Sequence, residues 1–155
     1  MSSHTLELKI PPVVVVAIAM ALMWLTARAT PTLLVLFPGR MVLSILFVAL
    51  GVAIIAAGVR SFVKANTTVN PHQPSASTFV VTTGIYRITR NPMYLGMLLV
   101  IVAWMIYLAN AAAAIFPFLF AAYITRFQIQ PEERVLIEKF GAAYEAYRAS
   151  VRRWL

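Results

Sequence analysis

The residues best suited to bind a charged small molecule lie at positions 84–96, where a basic, aromatic loop runs into an apolar segment. Arg87 and Arg90 carry permanent charges and forked donors. Pro92 fits the first turn of a helix, and Asn91 before it can serve as the N-cap. A helix that begins there directs free N–H groups towards an anion. The stretch therefore predicts an anion-binding loop; the alternative is a basic loop that only orients a membrane span.

A second polar stretch lies near the C-terminus. It contains Pro131-Glu132-Glu133-Arg134, then Phe140-Gly141-Ala142-Ala143-Tyr144-Glu145-Ala146-Tyr147, and it closes with Val151-Arg152-Arg153-Trp154. Together the two stretches resemble the isoprenylcysteine carboxyl methyltransferases and the related phospholipid methyltransferases. The family pattern is T-G-x-Y/F-R-x-x-R-H/N-P-x-Y-x-G, then E-E-x-x-L, then F/Y-G-x-x-Y-x-x-Y and a final basic-aromatic pair. The resemblance covers residues 79–154.

The resemblance implies an integral membrane enzyme that uses S-adenosylmethionine. It also implies a cofactor pocket built from the Thr-Gly turn, the Pro-Tyr helix start and the paired glutamates. The cofactor-binding residues are then expected to be Gly84, Tyr86, Arg87, Arg90, Asn91, Pro92, Tyr94, Gly96, Glu132 and Glu133.

The parts of S-adenosylmethionine match the residue types of the two stretches. The paired glutamates can bind the ammonium group and the ribose hydroxyls, and Arg87 and Arg90 can bind the carboxylate. Tyr86 and Tyr94 can stack on adenine or face the sulfonium as cation–π partners. The alternative for the glutamates is structural, because two acids in a first turn also complement a helix dipole.

Catalysis is expected to rest on proximity and alignment of the methyl group with its acceptor. The predicted catalytic residues are Glu133, Arg90 and Tyr94. A carboxylate acceptor needs no base, whereas an amine or hydroxyl acceptor needs one, for which Glu133 and Tyr94 are the candidates. Arg126 or Arg134 is predicted to orient a carboxylate acceptor.

Asn91 stands where many members of the resembling families have histidine. An asparagine side chain hydrogen-bonds but does not titrate, so no acid–base role is assigned to it. The substitution points away from the prenylcysteine enzymes proper and towards a broader bacterial-type subgroup. His4 and His72 lie in polar stretches of a chain without cysteine, and no metal site is predicted.

Composition indicates one integral membrane domain over residues 1–155. The chain is 61% hydrophobic and 12% charged, about half the charge of a soluble domain. The absence of cysteine excludes disulfides and thiolate catalysis. The net charge of +8 fits loops that face anionic lipid headgroups rather than nucleic-acid binding.

Four apolar runs predict an all-α fold with spans at about 10–27, 41–59, 92–109 and 111–127. The last two would form one helix of about 50 Å unless the chain turns at Asn110. Gly51 and Gly58 predict close helix packing in the second span. The elements 79–96 and 128–155 are expected to form the cytoplasmic cofactor site, with 131–155 as one amphipathic interfacial helix that covers the loop.

The distribution of Lys and Arg predicts that both termini are cytoplasmic, and a bacterial inner membrane is the expected location. The expected partners are membrane lipids and a lipophilic or prenylated acceptor, while the oligomeric state is not predicted. Two other readings stay open. One is an NADPH-dependent membrane reductase related to the sterol reductases, and the other is a non-enzymatic membrane scaffold.

Overall fold

The structure is a computed structural model that describes residues 7–64 and 80–155. Over these ranges the protein is all-α, as predicted. Its helices are α1 Pro12–Ala29, α2 Arg40–Lys64, α3 Pro92–Leu108, α4 Phe116–Ile124, α5 Gln130–Phe140 and α6 Ala142–Ser150. His4 and His72 lie outside the described residues.

Three helical segments are long and apolar enough to cross a membrane: Pro12–Ala29, Arg40–Lys64 and Ala111–Phe140. A fourth apolar helix, α3, has 17 residues and spans about 25 Å at 1.5 Å per residue. Many large apolar side chains of α1 and α2 are exposed, as expected of helices that face lipid. The predicted polytopic membrane protein with about four spans is confirmed.

Close contact between α2 and α3 depends on glycine. A Cβ atom on Gly51 would lie 2.7 Å from the carbonyl oxygen of Gly96, and a Cβ on Gly96 would lie 2.5 Å from that of Gly51. Gly58 faces the ring of Pro92 in the same interface. Small residues that let helix backbones touch are a common means of packing in membranes. This contact fixes the start of α3 against the end of α2.

Asn110 makes the turn that ends α3, as the sequence predicted. The preceding Ala109 has φ +50. The Asn110 side-chain oxygen accepts hydrogen bonds from the N–H groups of Ala112 and Ala113, at 3.0 and 3.3 Å. Its amide nitrogen donates to the Thr30 carbonyl at 2.8 Å. One buried amide therefore caps the next helix and holds it against the end of α1.

The C-terminal amphipathic segment is present, but it is not the single helix predicted for 131–155. A continuous helix, Ala111–Phe140, passes through a π-helical turn at Thr125–Ile129 and ends before Gly141. Gly141 has φ +52, which glycine adopts without strain, and α6 follows it. Because the paired glutamates lie inside the continuous helix, they do not complement a free helix N-terminus.

We predict that Gly96→Ala destabilises the protein by about 1–3 kcal/mol, because the added methyl group meets the Gly51 carbonyl. Helix propensity alone would change stability by up to about 1 kcal/mol in the opposite direction. Thermal unfolding in detergent measures the effect. Ala53→Val is the control, since it adds more volume to α2 at an exposed position. A melting temperature that Gly96→Ala leaves unchanged or raises would contradict the contact.

Candidate active site

The 84–91 loop brings the first motif to the end of α2. It begins with Gly84, which has φ +63, and a Cβ at this position would lie 2.9 Å from the Ser61 hydroxyl. A short 3-10 turn, Gly84–Arg87, then buries Tyr86. Pro92 occupies the first turn of α3, as expected. Glycine is required at 84 both by the backbone conformation and by the approach to α2.

The C-terminal tail (residues 151–155) lies against this loop. The backbone N–H of Arg90 donates to the Arg152 carbonyl at 3.0 Å. The Arg153 carbonyl accepts from the Asn91 side chain at 2.8 Å and from the Thr89 hydroxyl at 3.3 Å. Asn91 stands at the N-cap position of α3, but its side chain bonds the tail rather than the helix. The predicted side-chain cap is therefore wrong.

Helix α6 covers the loop from the other side, as the sequence predicted for its C-terminal helix. The Tyr147 hydroxyl donates to the Tyr86 carbonyl at 2.7 Å. Tyr144 and Tyr147 pack with Val81 and Tyr86 in one buried cluster. Burial raises the pKa of Tyr86 and of Tyr147, and it raises the pKa of Tyr144 to about 12. These phenols are neutral near pH 7, so the Tyr147 hydroxyl keeps the proton that it donates to the Tyr86 carbonyl.

An ion cluster around the buried Glu133 carboxylate joins the two motifs and the tail. Glu133 Oε1 lies 3.2 Å from Arg90 Nη2, and both side chains are only 8% exposed. Arg153 binds the same carboxylate with two hydrogen bonds, Nε to Oε1 at 3.1 Å and Nη2 to Oε2 at 2.7 Å. The hydrogen bonds to Glu133 raise the pKa of Arg153. Two guanidinium groups share one carboxylate, so the cluster retains one positive charge.

Arg90 has unsatisfied hydrogen-bond donors inside this cluster. Among the described residues, its Nε and Nη1 atoms are buried and have no hydrogen-bond partner. An unsatisfied buried donor costs about 1–3 kcal/mol, and more when it is charged. The Tyr144 side chain lies near the guanidinium group. Arg90 therefore has the charge and the unsatisfied donors that an anion needs, and hydrogen bonds from an ionised donor to an anion are among the stronger ones.

Glu132 lies beside this cluster and bonds a different partner. The buried Tyr94 hydroxyl, on α3, donates to Glu132 Oε1. Glu132 also lies close enough to Tyr86 for its charge to add to the rise in the pKa of that phenol, after burial and Tyr147. Six of the predicted site residues thus meet in one place: Tyr86, Arg90, Asn91, Tyr94, Glu132 and Glu133.

Other predicted site residues lie in different surroundings. Arg87 is exposed, and Gly96 contacts α2 and serves helix packing. Arg126 and Arg134 both pair with Glu7, at 3.0 and 2.5 Å. The substrate-binding role of these two arginines stays a prediction, and an anionic acceptor would have to replace the Glu7 carboxylate.

Gly84 lines a separate cavity of about 350 Å³ at the end of α2. The cavity is basic, and its lining residues are Ala57, Arg60, Ser61, Lys64, Thr83, Gly84 and Ile85. Within residues 7–64 and 80–155, no group of three or more His, Cys, Asp or Glu side chains could hold a metal ion.

Arg153 makes the closest contacts with Glu133 but is not among the predicted site residues. The available signal was the final basic-aromatic pair of the motif, but Arg152 and Arg153 are adjacent and chemically alike. Only the path of the tail separates them, since Arg152 is exposed whereas Arg153 turns inward to Glu133. Trp154 fixes that path through a hydrogen bond from its indole N–H to the Thr125 hydroxyl at 3.2 Å.

Comparison with known proteins gives two matches. A family model described as phospholipid methyltransferase matches residues 39–143, more than half of the chain. An uncharacterized protein of Haemophilus influenzae is 44% identical over 63 residues, which are 41% of this chain and 100% of that protein. No solved structure matches the chain. The matched region runs from the start of α2 into α6, so it includes the loop and both glutamates but not the tail.

We predict that Tyr147→Phe lowers the free energy of unfolding by about 1 kcal/mol, because the Tyr86 carbonyl loses its donor. The matched control is Tyr123→Phe. The Tyr123 hydroxyl is buried and has no hydrogen-bond partner in the described part of the chain, so its removal should not reduce stability. Thermal unfolding of both variants in detergent is the measurement. Equal melting temperatures for the two would show that α6 does not bond the loop.

Proposed function

Because the chain belongs to the phospholipid methyltransferase family, we propose that it transfers the methyl group of S-adenosylmethionine to a lipophilic acceptor at the cytoplasmic membrane face. The resemblance seen in the sequence is confirmed at the level of the family, which supports methyltransferase activity in a membrane protein. The cofactor, the acceptor and the roles of individual residues are the content of the proposal.

One observation carries the choice of cofactor: the two buried Arg90 donors that no residue of the described chain satisfies. They belong to a cluster with a surplus positive charge, which favours an anionic ligand. The carboxylate of the amino-acid head of S-adenosylmethionine has the planar, two-oxygen shape that a guanidinium group binds best. The permanent charge of Arg90 and its unsatisfied buried donors support the proposal.

The neighbouring residues suit the rest of the cofactor. Glu132 offers acceptor oxygens to the ammonium group or a ribose hydroxyl, and the Tyr94 hydroxyl holds its carboxyl group in place. Tyr86 and Tyr94 offer aromatic faces to a cation or to adenine. When bound, S-adenosylmethionine supplies a methyl group activated by its sulfonium charge. The protein positions the ligand and, with α6 over the loop, keeps water away from these contacts.

The geometry changes the role that we assign to Glu133. Both of its oxygens accept hydrogen bonds from arginine, so it is poorly placed to remove a proton from an acceptor. We assign it a structural role, as the carboxylate that holds Arg153 of the tail and contacts Arg90. An amine or hydroxyl acceptor would instead use the hydrogen-bonded pair of Glu132 and Tyr94 as its base. A carboxylate acceptor would need no base.

The acceptor is proposed to be an isoprenylcysteine-type carboxylate or a lipid amine that reaches the site from the bilayer. An anionic group on it would bind Arg126 and Arg134 in place of Glu7. The two arginines present charge next to an apolar helix, which suits a molecule with a long hydrocarbon chain and a charged head. Asn91 takes no part in the chemistry, because its amide holds the tail.

We predict that S-adenosylhomocysteine raises the melting temperature of the protein and that NADPH does not, since only a ligand that binds the folded state stabilises it. Arg90→Gln should weaken S-adenosylhomocysteine binding by about 10- to 100-fold, which corresponds to the usual contribution of a charge-assisted hydrogen bond to the binding free energy. Calorimetry gives the affinities. Arg148→Gln, an exposed change on α6 with the same loss of charge, is the control. Stabilisation by NADPH would favour a reductase, and stabilisation by neither ligand would favour a scaffold.

We also predict that both termini face the cytoplasm of a bacterial cell. Four spans return the chain to its starting side, and the basic residues of the loop and of α5 and α6 gather there. The other side has the turn at Asn110 and only Arg28 and Arg40. Reporter fusions at each terminus measure the location. Signals from opposite sides of the membrane would contradict this topology.

A further inference from the structure

We propose that Arg153 is a positioning residue for cofactor binding, because it occupies both oxygens of Glu133 and so keeps the Nε and Nη1 donors of Arg90 free of Glu133 and available to the ligand carboxylate. The inference rests on the proposed function and adds a residue that lies outside the region matched by the family model. It concerns how the anion-binding group is kept in a binding-competent state.

The contacts of Glu133 are unequal. Arg153 binds it in a forked manner, with one nitrogen to each oxygen at 3.1 and 2.7 Å. Arg90 reaches it with one nitrogen only, at 3.2 Å. Arg153 therefore supplies the hydrogen bonds to both carboxylate oxygens. Arg90 makes only the Nη2 contact, and no described residue accepts a hydrogen bond from its Nε or Nη1.

Removal of the Arg153 side chain would redirect Arg90. A carboxylate that is 8% exposed cannot be left with one weak partner, since an uncompensated buried charge is strongly destabilising. Arg90 Nη2 already lies 3.2 Å from Glu133 Oε1. A forked contact between Arg90 and Glu133 would satisfy the carboxylate, but it would engage Nε or Nη1 together with Nη2 and so take a donor away from the ligand.

The backbone around Arg153 supports this role. The Arg153 carbonyl accepts hydrogen bonds from the Asn91 side-chain amide and the Thr89 hydroxyl. The Arg152 carbonyl accepts one from the backbone N–H of Arg90. The backbone at Arg153 is therefore attached to residues 89–91, the segment that carries Arg90. The hydrogen bond of Trp154 to the membrane helix holds the tail from the other side. Arg153 has a fixed position from which it can compete with Arg90 for the carboxylate.

The test compares two ligands that differ in the amino-acid head. S-Adenosylhomocysteine has the carboxylate, whereas 5′-methylthioadenosine keeps the adenosine and sulfur but lacks it. Arg153→Gln should weaken binding of the first ligand at least about tenfold and leave binding of the second nearly unchanged. Arg152→Gln is the matched control, because it removes the same charge from the adjacent, exposed side chain. Calorimetry, with competition for the weaker ligand, gives both affinities.

A second variant separates positioning from folding. In Glu133→Gln/Arg153→Gln the residue at 133 is neutral and no longer attracts Arg90, so S-adenosylhomocysteine should bind more tightly than it binds to Arg153→Gln alone. Equal weakening of both ligands by Arg153→Gln would show that Arg153 only holds the fold. Unchanged S-adenosylhomocysteine binding, or no recovery in the double variant, would overturn the inference. If the unmodified protein binds neither ligand, the proposed function itself fails.

Discussion

The structure depends on one buried carboxylate that is shared by two guanidinium groups. Glu133 comes from the long C-terminal helix, Arg90 from the loop before α3, and Arg153 from the tail. Removing one partner of a buried ion pair typically costs about 3–5 kcal/mol, because the remaining charge is uncompensated. The three segments are therefore held in one arrangement. The same surplus of positive charge that makes the cluster costly without a ligand makes it suitable for an anion.

The membrane helices determine where that cluster forms. Backbone contact between Gly51 and Gly96 sets the height of α3 against α2, and the loop before α3 follows from it. The turn at Asn110 then returns the chain to the same end of the helix bundle, so that Glu132 and Glu133 arrive opposite the loop. Two motifs far apart in sequence meet because a short helical hairpin has both ends on one face.

Much of this arrangement follows from properties that a sequence displays directly. Apolar run length predicts the spans, the polar Asn110 marks the turn, and the charge distribution places both motifs on one side. The missing parts are contacts between distant segments, which leave no local pattern. Nothing near Asn91 indicates that its amide bonds the tail, and the apolar spacing through Gly141 reads as an unbroken helix. Arg152 and Arg153 are alike until the path of the tail is known.

The unbroken helix Ala111–Phe140 has 30 residues and a length of about 45 Å, well beyond a hydrocarbon core of about 30 Å. Its first half is apolar and its last turns carry the glutamates. A hydrophobic helix that is longer than the local bilayer core adjusts by tilting. Because this helix is continuous, a tilt imposed on its apolar half would also act on the end that carries the glutamates, where the contacts of Glu133 with Arg90 and Arg153 would oppose it. The ion cluster would in that way help to set the angle at which the helix crosses the bilayer.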